Sequence, residues 1–175
     1  MAALALQAFR PATALTENQF ESIWENSVTS SAALTQPRER ALVFPSRGSE
    51  YRIIVRTSQP TPAWVEPTMS AFIGVQMLPD NWDSYGGRKI NRDIISQSLS
   101  VLALIMEATS PPPSVVPMGN GGLQLEWHRK QQDLEIVFPS DEAPQFFYQD
   151  RTTGGQQEGS TNNITTLVQL LRNIV

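Results

Sequence analysis

Apolar positions change their period several times along this chain, and each change marks an element. Phe20, Ile23 and Trp24 recur at i, i+3, i+4, behind a capping box in which Thr16 is the N-cap and Gln19 closes it, with Leu15 as staple. This predicts a first helix. Residues 27–37 are rich in Ser and Thr and end in Gln36-Pro37, the composition of a linker. Residues 1–36 therefore read as an N-terminal helical arm and linker, and 37–175 as a single domain.

Within that domain, Ala41–Phe44, a Pro-Ser-Arg-Gly-Ser turn and Tyr51–Arg56 predict a β-hairpin. Arg52, Ile54 and Arg56 share one side of its second strand. Pro60, Pro62 and Pro67 break the chain before a helix over about 67–78, with Met69, Phe72, Ile73 and Met77 as its stripe. Asn91 caps a further helix in which Ile95, Leu99, Leu102 and Met106 recur, and Pro111-Pro112-Pro113 ends it.

From 114 to 150 the period is two. Val115-Val116 leads into Gly119-Asn120-Gly121-Gly122, a turn; Leu123, Leu125 and Trp127 alternate with Gln124, Glu126 and His128; Leu134, Ile136 and Phe138 follow, and Phe146–Tyr148 start another strand. This predicts an antiparallel meander with one buried face. Residues 153–162 read as a polar loop. Asn163 caps a last helix with Ile164, Leu167, Val168, Leu171 and Ile174 inward. The predicted fold is α+β: one antiparallel sheet, made of hairpin plus meander, with helices packed on one face.

Composition narrows the chemistry. The 175 residues include no cysteine, so disulfides, thiolate metal sites and cysteine nucleophiles are excluded. The net charge of −4 argues against wholesale binding to nucleic acid or anionic membrane. No apolar run approaches the roughly 20 residues that span a bilayer, and the N-terminus lacks the basic start of a signal peptide. The expectation is a cytoplasmic protein.

From Pro37 onward the chain resembles an uncharacterised bacterial family. The resemblance rests on Ala41-Leu42-Val43-Phe44-Pro45-Ser46, on Leu78-Pro79-x-Asn81-Trp82-Asp83-x-Tyr85-Gly86, and on Pro117 with Gly121-Gly122-Leu123-Gln124-Leu125-Glu126-Trp127 followed by Leu134-Glu135-Ile136. It implies no activity.

Three places hold candidate chemistry. The Asn81–Gly87 segment reads either as a structural Asx-type turn or as a loop presenting Trp82, Asp83 and Tyr85 to a partner, with Asp80 and Asp83 also available to a cation. In the meander, pairing Leu125 with Ile136 and Trp127 with Leu134 sets Glu126 opposite Glu135 and His128 opposite Asp133. Two opposed carboxylates repel unless Arg129, a metal, a shared proton or water relieves them. Glu126, Glu135 and His128 are thus the catalytic set if the chain is a Mg- or Mn-dependent hydrolase or nuclease. A solvated outer sheet face explains the same residues. Third, five arginines between positions 38 and 56 outnumber Glu39 and Glu50, and Arg52 and Arg56 could contact phosphate; surface ion pairing explains them as well.

No phosphate loop, dinucleotide fingerprint or Gly-x-Ser-x-Gly motif occurs. The leading expectation is a non-enzymatic protein-interaction module, accessory, regulatory or antitoxin-like, with no cofactor. Its partner is another protein, for instance the product of a neighbouring gene, met through Trp82, Asp83, Tyr85, Phe20 and Trp24. Two alternatives stand beside it: the carboxylate hydrolase, and a protein subunit of a nucleoprotein complex.

Overall fold

The structure, a computed structural model, describes the backbone of residues 5–7, 38–46 and 49–57, and backbone and side chains over 61–175. The Thr16 helix, with Phe20 and Trp24, lies outside the described residues, as do the side chains of Arg52 and Arg56.

The class is α+β. Strands β1 (Ala5–Gln7), β2 (Arg38–Ser46) and β3 (Ser49–Thr57) form one antiparallel sheet in the order β1-β3-β2. The predicted hairpin is present, with Phe44 opposite Tyr51. Helices α1 (Val65–Gln76) and α2 (Arg92–Ile105) follow. Strands β4 (Ser114–Pro117), β5 (Leu123–Arg129), β6 (Gln132–Phe138), β7 (Gln145–Asp150) and β8 (Gly155–Ser160) make a second antiparallel sheet in sequence order, and α3 (Ile164–Ile174) closes the chain.

Hairpin and meander thus belong to two sheets, where the sequence reading merged them. Alternation dictates which side of a strand is buried, but not which strand its free edge meets. The meander register is the predicted one: Leu125 faces Ile136, Trp127 faces Leu134, Glu126 faces Glu135 and His128 faces Asp133. Burial follows the period of two, with Leu123, Leu125, Trp127, Leu134, Ile136 and Phe138 at 2% exposure or less. These side chains join Met69 and Phe72 of α1, Leu99 and Leu102 of α2, and Leu167 and Leu171 of α3 in one core.

Two element boundaries differ from expectation. α1 begins two residues earlier and takes Pro67 into its first turn, where the missing N–H costs nothing because first-turn N–H groups have no intrahelical partner. Met77 consequently falls past the helix end and is exposed. Residues 155–160, read as loop, are instead strand β8. Its side chains carry no apolar alternation because it lies at the margin of the sheet, where backbone pairing with β7 alone defines it. Gly159 suits this place: a Cβ there would stand 3.0 Å from the Phe146 ring.

Of the predicted caps, the two that fall among the described residues form. The Asn91 side chain accepts the Asp93 N–H at 2.9 Å, and the Asn163 side chain accepts that of Thr166 at 3.3 Å.

Candidate functional site

The 80–89 segment is a turn built from its own polar side chains. Asp83 Oδ1 accepts the N–H groups of Tyr85 and Gly87, each at 2.8 Å. Asn81 Oδ1 accepts Gly86 N–H at 2.7 Å, and Asp80 Oδ1 accepts Lys89 N–H at 3.0 Å. Trp82 Nε1 donates to the Arg88 carbonyl at 3.2 Å. Asn81, Ser84 and Gly86 take positive φ, which short polar residues and glycine tolerate best. At Gly87 a Cβ would stand 2.8 Å from the Asp83 carboxylate, so any larger residue evicts the group that organises the turn. The N–H groups of Tyr85 and Gly87 hold the Asp83 carboxyl below its ordinary range, against a smaller opposing effect of desolvation.

This turn is docked rather than loose. Arg88 N–H donates to the Gly119 carbonyl at 2.9 Å and Asn91 N–H to that of Gly121 at 3.1 Å, seating the segment on the β4–β5 connection. The Asx-type turn is therefore the conformation of this segment. Asn81 and Asp83 are structural acceptors, Trp82 is half-buried, and Tyr85 projects with 94% of its surface exposed. The Oδ1 atoms of Asp80 and Asp83 point at backbone N–H groups, which is not how carboxylates converge on a cation.

On the outer face of the second sheet, register brings Glu126, Glu135, His128 and Asp133 together as expected, but their partners differ. His128 Nδ1 lies 2.7 Å from Asp133 Oδ1 and its Nε2 lies 3.2 Å from Glu126 Oε2. Arg151 Nε and Nη2 each reach Asp133 Oδ2 at 2.6 Å. Gln124 Nε2 donates to Glu135 Oε2 at 2.9 Å. The opposed glutamates are thus relieved by Gln124 and His128. Arg129 cannot serve, since it stands opposite Gln132, one position out of phase with Glu126.

The hydrogen bond to Asp133, then that to Glu126, raise the His128 pKa above its ordinary value despite some desolvation. Burial works to push Asp133 up, but hydrogen bonds from His128 and Arg151, with their charges, outweigh it and leave the carboxyl lowered. With a carboxylate at each ring nitrogen, the imidazolium is the form this geometry favours. A general base needs a free ring nitrogen, and His128 presents none without breaking one of these contacts. Among the described residues no group of three or more His, Asp or Glu side chains is arranged to hold a metal ion.

Arg151 and Gln124 were not singled out from sequence. Gln124 was findable, being the outer-face neighbour two positions before Glu126. Arg151 was not, because its approach depends on β6 and β7 pairing Gln132 with Asp150. Arg52 and Arg56 occupy β3 opposite Val43 and Glu39. No helix among the described residues is long and apolar enough to cross a membrane. Comparison of the chain with family models, with curated proteins and with solved structures finds no match.

Proposed function

We propose that this chain is a protein-interaction module, accessory or regulatory in character, which engages its partner through the 80–89 turn. The observation that carries this reading is Tyr85, 94% exposed on a segment whose conformation is fixed by internal hydrogen bonds. An aromatic ring left in water while its backbone is held still is a preorganised anchor. It loses little conformational entropy on binding, and tyrosine is among the residue types that dominate interface energetics. Half-buried Trp82 beside it extends the apolar contact.

The hydrolase reading has less support, because Glu126, Glu135 and His128 are each satisfied by a neighbouring side chain. The test compares proteins captured from a cell extract by immobilised wild-type chain, Tyr85→Ala and Tyr85→Phe, quantified by mass spectrometry. A partner retained by wild type, reduced about tenfold or more by Tyr85→Ala and largely kept by Tyr85→Phe is the expected result. Identical sets from all three proteins, or nothing above blank resin, would overturn the reading.

A further inference from the structure

At the opposite margin of the sheet from that turn, β8 has β7 on one side and no described strand on the other. The ladder shows which backbone groups this leaves over. Thr161 N–H donates to the Pro144 carbonyl, and Arg151 N–H to that of Gln131. Bonding pairs alternate along antiparallel strands. The even-numbered residues of β7 therefore bond β8 and the odd-numbered ones bond β6. On β8 it is Gly155, Gln157 and Gly159 that face β7, while the N–H and C=O groups of Gln156 and Glu158 and the N–H of Ser160 point away from the sheet. The Ser160 carbonyl is taken by Asn163 N–H at 3.1 Å.

Beneath this edge runs a cleft of about 410 Å³ between β7–β8 and α3. Tyr148 and Gln157 line it on the strand side, and Thr166, Gln169, Leu170 and Asn173 on the helix side. Among the described residues that line it, Asp150 carries the one charge, a carboxylate. An open strand edge above a groove walled by a helix is the arrangement in which an extended peptide adds as a strand and drops alternate side chains into the groove.

We infer that β8 and α3 form a docking site for an extended segment of another polypeptide, which pairs antiparallel or parallel to Gln156–Ser160. Its side chains over the cleft are small or polar and uncharged, and it places a Lys or Arg beside Glu158 on the outer face. Charge selects this occupant. The edge offers Glu158 on a chain of net charge −4, so an acidic segment is repelled and a basic one attracted. Charge also disfavours a second copy of this chain. Each copy carries the same net charge of −4 and presents the same Glu158, so two such edges repel, whereas a basic segment does not.

The site is independent of Tyr85, so either proposal can fail alone. The experiment pans a phage-displayed random octapeptide library on the full chain, then titrates a synthetic copy of the most enriched peptide into ¹⁵N-labelled protein. The expected result is enrichment of Lys- or Arg-bearing sequences, with shifts confined to residues 155–160 and α3. Glu158→Pro removes one outward N–H while leaving β7 pairing intact, and should weaken binding about tenfold. Glu158→Gln should weaken it about two- to fivefold. Gln169→Trp fills the cleft without touching the edge and should also weaken binding, which decides the matter if the proline variant does not fold. Equal enrichment on wild type and Gln169→Trp would overturn the inference, as would shifts centred on the 80–89 turn. So would a concentration-dependent dimer in sedimentation, which assigns the edge to self-pairing, or shifts of the Gln157 and Gln169 amides with maltose and no peptide enriched, which assigns the cleft to a carbohydrate.

Discussion

His128 is the single histidine of the chain, so its imidazole can be followed by NMR without ambiguity. Its carboxylate partners raise its pKa, and the hydrogen bonds and charges of His128 and Arg151 lower that of Asp133 in spite of burial. Both shifts stabilise the folded chain, with opposite dependence on pH. The His128 contribution is complete below the ordinary imidazole value of 6.5 and is lost as pH rises through its raised folded value. The Asp133 contribution is complete above the ordinary 3.8 and is lost as pH falls through its lowered folded value. Both are therefore present together between about pH 4 and 6.5. We expect the His128 resonances to titrate above 6.5 in the wild-type chain, and to return toward that value in Asp133→Asn. A wild-type titration at or below the ordinary value would remove the ion cluster from the account.

At the scale of elements, the β5–β6 hairpin shows how far pattern alone reaches. Alternating apolar residues on either side of Lys130-Gln131 fixed its register, because a slip of one position would turn Trp127 and Leu134 into water. The turn conformation was less visible. Lys130 and Gln131 have φ of 52° and 61°, the left-handed pair that a two-residue hairpin of this type requires, although neither residue favours it. Gln131→Gly should therefore stabilise the chain by about 0.5–1 kcal/mol after allowing for the added freedom of the unfolded state. Urea unfolding measures this, and an unchanged or lower midpoint would contradict it. β8 was illegible for the opposite reason. Strands of a half-buried sheet announce themselves through side chains, whereas β8, exposed at nearly every position, is specified by the backbone groups of β7.

Across the whole molecule, the segment from Glu107 to Pro111 is where distant elements meet. Trp64, at the start of α1 and 1% exposed, donates its indole N–H to the Glu107 carbonyl at 2.9 Å. Trp127 of β5 donates to the Pro111 carbonyl at 2.9 Å, and Arg172 of α3 pairs with the Glu107 carboxylate. Trp64→Phe keeps most of the apolar volume but orphans that carbonyl and leaves a small void, so a loss of about 1–3 kcal/mol is expected in thermal or urea unfolding. A loss well under that range would show that the indole contact closes nothing.

The sequence by itself determined the α+β class, the meander register and the caps at Asn91 and Asn163. It also determined that Asn81 and Asp83 lie in a turn. Each of these follows from local periodicity or from side chains bonding their own backbone. Tertiary structure alone decided that the hairpin and the meander are separate sheets. It alone brought Arg151 to Asp133 and raised an edge strand over a cleft beside α3. Those outcomes depend on which backbone edges find each other and which remain open. Main-chain hydrogen bonds are the same for every residue but proline, so their pairing leaves no mark on the order of the side chains.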